Sequence, residues 1–178
     1  KHFTEVVDCL VSTDDKMIAR VATEAGALVP WLRPVDLSTD SASSVDMAIH
    51  ALDWYESQQG HVDGVLLLQP TSPLRKLSTV AKGIELFRAN PDMAVVGVSQ
   101  TPHHPLWTFR VNDGKLHPWV EAGTAFRSQD LPPAYVVTGS FYLISPSKLR
   151  SSKSFIPPGS LPLIQEDPCD LIDIDDMN

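Results

Sequence analysis

The chain is poor in cysteine, in positive charge and in long apolar runs, and each shortage excludes a class of protein. Its two cysteines, Cys9 and Cys169, are too few and too far apart for a disulfide framework, so we expect a cytoplasmic protein with Cys9 as a buried free thiol. With 14 basic against 22 acidic residues, the net charge of −8 argues against non-specific binding to nucleic acid or to anionic membranes. No apolar run approaches the length of a membrane span.

Short apolar runs alternate with segments of helical spacing along the 178 residues, which indicates one α/β domain. A strand, helix, strand order of this kind is typical of parallel strands joined by right-handed crossovers. We therefore predict a doubly wound, mostly parallel sheet. Strands are expected at residues 6–11, 27–31, 65–68, 93–98 and 136–144, and helices at 16–25, 45–58 and from Ser78 onward.

The alternation breaks between residues 100 and 135. Asn112-Asp113-Gly114 lies between two apolar runs, which predicts a β-hairpin. An antiparallel excursion from a parallel sheet is typical of a lid or of an arm that reaches a second subunit, and exposed Trp107 and Trp119 would favour burial against a partner. His103 and His104 are adjacent on an extended segment and point to opposite faces, which argues against a shared metal.

A polar turn follows the apolar run at 65–68. Pro70 and Pro73 stop strand pairing, so Gln69, Thr71 and Ser72 should lie just past the carboxyl end of a buried strand. Ligands bind at this place in open α/β sheets, and one amide, two hydroxyls and then Arg75 suit a polar, anionic ligand. The alternative is an ordinary proline-stiffened turn.

Two carboxylates stand two residues apart near the end of the chain, at Asp173 and Asp175. On an extended segment they share one face, while Ile172 and Ile174 would turn toward the core. Two adjacent hard oxygen ligands suit Mg²⁺, whose other positions would be filled by water and phosphate oxygens. The alternative is a solvated acidic strand end.

Five motifs, in order, resemble the CMP-sialic acid synthetase family, which comprises the acylneuraminate cytidylyltransferases and related CMP-acid-sugar synthetases. They are Ser-Thr-Asp at 12–14, the loop 33–44, Leu-Leu-Gln-Pro-Thr-Ser-Pro-Leu-Arg at 67–75, Arg-Ser-Gln-Asp-Leu-Pro at 127–132 and Asp-Ile-Asp at 173–175. The resemblance implies a Rossmann-like nucleotidyltransferase fold. It assigns cytidine binding to Arg33, Ala42 and Ser44. It assigns sugar binding to Gln69, Thr71, Ser72 and Tyr142, a catalytic role to Arg127, and both catalysis and metal binding to Asp173 and Asp175.

The resemblance implies an enzyme that uses CTP and Mg²⁺. It would transfer CMP to the anomeric hydroxyl of a nine-carbon or eight-carbon 2-keto acid sugar and release pyrophosphate. It also implies a homodimer, with residues 100–135 as the inserted dimerisation arm and substrate loop of a single domain, 1–178. The family's glycine- and lysine-bearing triphosphate loop has no match here, so we expect a domain truncated at both ends.

Two alternatives remain open at this point. One is a non-catalytic remnant that binds a nucleotide sugar or dimerises. The other is a metal-dependent glycosyltransferase, which also uses an Asp-x-Asp motif on an α/β sheet.

Overall fold

The computed structural model of the protein describes residues 3–39, 41–120, 127 and 130–174. Its α-helices are α1 (Lys16–Glu24), α2 (Ser44–Gln58), α3 (Leu77–Ala89) and α4 (Pro146–Ser152). Short 3₁₀ helices cover Val35–Leu37, Pro105–Trp107 and Pro168–Leu171. The strands are β1 (Val65–Leu67), β2 (Val95–Gln100), β3 (Phe109–Asn112), β4 (Lys115–Pro118), β5 (Tyr135–Ile144) and β6 (Leu161–Ile164).

The main sheet has four strands in the order β1-β5-β2-β6. Strand β5 is antiparallel to both β1 and β2, whereas β2 and β6 are parallel. The predicted α/β class is confirmed, but the mostly parallel, doubly wound arrangement is not, because the described sheet is mixed. The difference arises at β5, which follows the hairpin segment and enters between β1 and β2 in the opposite direction.

The strands expected at 6–11 and 27–31 are reduced to one parallel bridge, between Leu10 and Leu28. Two backbone hydrogen bonds hold it: Val11 N to Leu28 O at 2.9 Å and Leu28 N to Cys9 O at 2.8 Å. Within the described residues, this bridge pairs with no strand of the main sheet. Cys9 is exposed, so the expectation of a buried thiol is wrong.

Alternate residues of β5 pack against helices on opposite faces of the sheet, as the two-residue period of a strand requires. On one face, Phe141 and Leu143 join a cluster that includes Val80, Ile84 and Phe87 of α3. On the other face, Ile144 joins a second cluster with Ala48 of α2 and Leu149 of α4. The two clusters anchor β5 rigidly, and β5 therefore fixes the position of whatever lies at the adjacent end of β1.

The predicted hairpin is confirmed as the pair β3 and β4, which forms a sheet separate from the main one. Asp113 and Gly114 at its turn have φ values of 51° and 71°, the left-handed geometry that suits the twist of a two-residue hairpin turn. Trp119 on this hairpin is 63% exposed, and Trp107 just before it is 50% exposed.

Replacing Gly83 by alanine should destabilise the protein, because an added Cβ would overlap the ring of Phe141. Overpacking a core costs about 1–3 kcal/mol, which exceeds the gain of about 1 kcal/mol in helix propensity. Urea denaturation of Gly83→Ala should show a lower free energy of unfolding, whereas Lys82→Ala, on the exposed side of α3, should stay within about 0.5 kcal/mol of the parent. A Gly83→Ala variant as stable as the parent would contradict this packing.

Candidate active site

The turn that follows β1 is tied to β5 by Arg75. The guanidinium donates from Nε to the carbonyl oxygen of Ser140 at 3.1 Å and from Nη2 to that of Gln69 at 2.5 Å. Burial lowers the pKa of Arg75, and the negative charge of Asp170 partly offsets that effect. With these donors Arg75 supports the turn, and its predicted contact with an anionic ligand through the remaining donors stays a prediction.

Two side chains of the turn face the interior of the protein: Gln69 lies against β5, and Ser72 is buried. The hydroxyl of Ser72 is buried, with the residue 2% exposed, and has no hydrogen-bond partner among the described residues. The amide of Gln69 lies so close to Gly139 that a Cβ added there would be 2.6 Å from Gln69 Oε1. Gly139 also has a φ of 76°, so glycine is required both for the backbone and for the approach of Gln69.

Tyr142 and Asp173 lie beside this turn. Tyr142 pairs with Leu67 of β1 in the sheet register. Burial raises the pKa of the Tyr142 phenol, and the charge of the nearby Asp173 raises it further. The amide of Ile174 donates to the carbonyl oxygen of Thr71 at 2.8 Å, which holds the segment with Asp173 against the turn. The structure thus brings Gln69, Thr71, Ser72, Tyr142 and Asp173 together.

The acidic segment differs from expectation in one respect. Ile172 and Ile174 are 40% and 51% exposed, so the prediction that they enter the core is wrong. The segment leaves a 3₁₀ helix at Leu171 and forms no strand in its described part, so the alternation expected of a strand does not apply.

The predicted nucleotide-binding residues form a separate group. Arg33 donates from Nε to Ser12 Oγ at 3.1 Å and from Nη2 to the carbonyl of Ser12, so its guanidinium is already engaged. Ala42 lies just before α2. Ser43 is the N-cap of that helix, and Ser44 is its first residue. No hydrogen bond among the described residues joins these residues to the turn. The link is Val45, which packs against the same core cluster as Tyr142.

Arg127 and Asp175 were also predicted to act here. Arg127 is exposed, and its carbonyl accepts a hydrogen bond from the amide of Asp130 at 3.0 Å. That contact does not bring it to the turn. Asp175 lies outside the described residues, so its predicted pairing with Asp173 stays a prediction.

The described side chains at this site supply some of the oxygen ligands that a hard cation such as Mg²⁺ needs, but not all of them. Asp173 offers an exposed carboxylate beside the polar turn, and Mg²⁺ needs only one or two protein carboxylates because water and phosphate supply its other ligands. The described part of the chain contains no group of three or more His, Cys, Asp or Glu side chains that could enclose a metal ion by itself.

Two features of the site were not predicted. Beneath Gly139, Thr138 donates to Gln165 Oε1 at 2.5 Å, and Gln165 Nε2 donates to Ser140 Oγ at 2.7 Å. The other feature is Asp170, whose buried carboxylate accepts from the amide of Lys76 at 2.8 Å. Lys76 is the N-cap of α3 but caps nothing with its own side chain, and lysine is a poor N-cap residue. Asp170 therefore supplies the acceptor that the N-cap side chain lacks, and the sequence, which suggested a helix start at Ser78, contained no signal of it.

A polar turn, a half-buried tyrosine and an exposed carboxylate meet at the carboxyl end of β1, a place where α/β proteins commonly bind ligands. No family model matches the chain. It is 34% identical over 173 residues to the CMP-N,N'-diacetyllegionaminic acid synthase of Legionella pneumophila, an alignment covering 94% of this chain and 72% of that protein.

Two further relatives are named as cytidylyltransferases. The N-acylneuraminate cytidylyltransferase of Streptococcus agalactiae is 35% identical over 149 residues, covering 83% of this chain but 35% of that protein. The pseudaminic acid cytidylyltransferase of Campylobacter jejuni is 32% identical over 155 residues, covering 86% and 65% respectively. The chain belongs to the family of CMP-acid-sugar synthetases, which are cytidylyltransferase enzymes. Within the described residues, no helix is both long and apolar enough to cross a membrane.

Replacing Asp173 by asparagine should lower the pKa of Tyr142, because the neutral amide no longer disfavours the phenolate. The pKa should stay above the ordinary tyrosine value, since burial is the larger cause of the shift. An NMR titration of the tyrosine ring carbons measures this. Tyr55 is the internal control, because its pKa is raised chiefly by the hydrogen bond it donates to Asp8 and should not change. An unchanged Tyr142 pKa in the variant would contradict the placement of Asp173.

Proposed function

We propose that this protein transfers CMP from CTP to the anomeric hydroxyl of a 2-keto acid sugar of eight or nine carbons. The anomeric oxygen forms a bond to the α-phosphorus and releases its proton to water. The bond from that phosphorus to the bridging oxygen breaks, so pyrophosphate leaves. The observation that carries the proposal is the grouping of Gln69, Thr71, Tyr142 and Asp173 at the end of β1 in a chain that belongs to this family.

The turn and Tyr142 bind and orient the acid sugar in this proposal. Gln69 and Thr71 offer an amide and a hydroxyl on a turn held by Arg75, so the sugar meets a preformed surface. The phenol of Tyr142 is a hydrogen-bond donor that could reach the sugar, and burial and the charge of Asp173 raise its pKa further above the ordinary tyrosine value. The third sugar-binding candidate is Ser72, whose buried hydroxyl has no hydrogen-bond partner among the described residues.

Asp173 and Asp175 are the residues that would hold Mg²⁺. When bound there, Mg²⁺ supplies electrostatic stabilisation of the charge that develops on the phosphates and on the departing pyrophosphate. Asp173 is exposed beside the turn, and the hydrogen bond of Ile174 to Thr71 keeps it there.

Arg33, Ala42 and Ser44 would bind cytidine, and Arg127 would approach the reacting groups. The start of α2 supports this role for Ser44, because helix N-terminal amides can receive a base edge or an anion. For Arg33, the contacts with Ser12 support a positioned guanidinium with part of its donor set still available.

We propose further that the fold is a Rossmann-like nucleotidyltransferase domain spanning 1–178, with 100–135 as a dimerisation arm and substrate loop. The exposed aromatic hairpin favours a homodimer. Family membership favours nucleotidyl transfer over the glycosyltransferase and over the remnant without activity, because the relatives are named as synthases and cytidylyltransferases.

Incubation of the protein with CTP, Mg²⁺ and a panel of 2-keto acid sugars tests the activity, with pyrophosphate release and CMP-sugar formation as readouts. We expect turnover with at least one sugar of this class. Asp173→Asn should lower kcat/KM by about 100-fold or more, because it removes a carboxylate ligand. Glu166→Gln, an exposed neighbouring acid, should stay within about twofold. Turnover in Asp173→Asn equal to the parent would contradict the assignment.

Gly139→Ala should weaken sugar binding by displacing the Gln69 amide. Gly159 is a matched control, because its φ of 83° imposes the same backbone strain while nothing lies within 4 Å of an added Cβ. Both alanine variants should lose about 1–2 kcal/mol of stability, but only Gly139→Ala should raise the KM for the sugar, by about tenfold. Equal KM values in the two variants would show that Gln69 does not contact the sugar.

A further inference from the structure

Asp170 is the one carboxylate among the buried polar side chains of the described residues, with 3% exposure. Its Oδ1 accepts from the amide of Lys76 at 2.8 Å, and its Oδ2 accepts from the hydroxyl of Thr79 at 2.5 Å. These partners lie 94 and 91 residues earlier in the chain. A buried carboxylate is costly unless both oxygens are satisfied, so the pair of contacts accounts for its burial.

The two contacts complete the N-terminus of α3. In a capping box, an acid at the third helical position accepts from the amide of the N-cap residue. Here Thr79 occupies that third position, and Asp170 accepts from the N-cap amide of Lys76 in its place. The carboxylate also lies at the positive end of the helix dipole. Asp170 thereby fastens the 3₁₀ helix Pro168–Leu171 to the start of α3.

The chain is therefore held in place on both sides of Asp173. Three residues before it, Asp170 is fixed to α3, which begins directly after the turn at 69–75. One residue after it, the amide of Ile174 is fixed to Thr71 of the same turn at 2.8 Å. A segment held at both ends over so few residues has little freedom, so the backbone of Asp173 stays close to the turn.

We propose that Asp170 is a positioning residue that presents the Asp173 carboxylate to a divalent cation by anchoring its segment to the first turn of α3. This inference rests on the proposed function, because it takes Asp173 as a metal ligand. Asp170 itself is buried by α3 and does not touch the cation or the substrates.

A second contact, between Asp167 and Lys76, also joins this segment to the start of α3 and can be compared with that of Asp170. Asp167 pairs with the ammonium group of Lys76 on the surface and accepts from the amide of Cys169 at 3.0 Å. Exposed ion pairs contribute little to stability or geometry. If any link between the segment and α3 sufficed, loss of Asp167 would matter as much as loss of Asp170.

The test compares Asp170→Ala, Asp170→Asn and Asp167→Ala in the whole protein. The asparagine variant can keep both contacts, because its oxygen accepts from Lys76 N and its amide donates to Thr79 Oγ1. Two readouts are used: hydrogen exchange of the Ile174 amide, and the dissociation constant of Mn²⁺ alone, measured by electron paramagnetic resonance. A fold-wide loss of structure would speed exchange in the core of α3 as well, so the amides of Ile84 and Phe87 are the internal reference.

We expect Asp170→Ala to speed Ile174 exchange and to weaken Mn²⁺ binding, each by about tenfold, while the α3 reference amides are unchanged. Asp170→Asn and Asp167→Ala should stay within about threefold of the parent. Unchanged Mn²⁺ binding in Asp170→Ala would overturn the proposal, whether or not Ile174 exchange rises. An equal loss in Asp167→Ala would overturn it too.

Should Asp170→Ala fail to fold, Thr79→Val decides, because it removes one of the two contacts and should weaken Mn²⁺ binding by more than about fivefold, outside the range of the control variants. No change there overturns the proposal. Failure of the proposed function is separate: it appears as Mn²⁺ binding without CMP transfer by the parent protein. A parent protein that binds no Mn²⁺ overturns the positioning role itself.

Discussion

The guanidinium of Arg75, shared between the carbonyl oxygens of Gln69 and Ser140, is the contact on which the arrangement of the site depends. The turn at 69–75 contains two prolines, so it cannot be held by strand pairing. Arg75 replaces that pairing with two side-chain donors and joins the turn to β5, the strand anchored in both core clusters. A second junction, at Asp170, joins the acidic segment to the helix that follows the same turn. The candidate site is therefore built on rigid elements, although its polar groups lie on loops.

Features encoded over a few residues were predictable from the sequence. The turn after β1 follows from an apolar run that ends at Pro70, and the hairpin follows from Asp113-Gly114 between apolar runs. The sheet was not predictable in the same way. Strand β5 reads as an apolar run whatever its direction, and only its non-local pairing with β1 and β2 makes the sheet mixed. The opening strands likewise depend on neighbours, and in the described residues they form one bridge, at Leu10 and Leu28.

In the candidate site, too, features that depend on a few neighbouring residues were predictable, and features that depend on long-range contacts were not. Gln69, Thr71 and Tyr142 were assigned by the family resemblance and lie together, whereas Asp170 escaped notice because its partners lie more than 90 residues away. Arg75 was expected near a ligand because charge after a strand suggests one, and its contacts with two carbonyl oxygens were not foreseen. Sequence patterns identify which groups are polar and near a strand end, but the partner that satisfies a buried charge is a property of the folded chain.

The most direct test of the central claim, that Asp173 and Asp175 hold the Mg²⁺ that assists CMP transfer from CTP, is isothermal titration of the protein with CTP in the presence and absence of Mg²⁺. The parallel sample is a variant with both Asp173→Ala and Asp175→Ala, checked for folding by circular dichroism. We predict CTP binding that requires Mg²⁺ and is lost in the double variant, because the carboxylates connect the cation to the protein. Equal CTP binding by the parent and the double variant, or none by the folded parent, would contradict the claim.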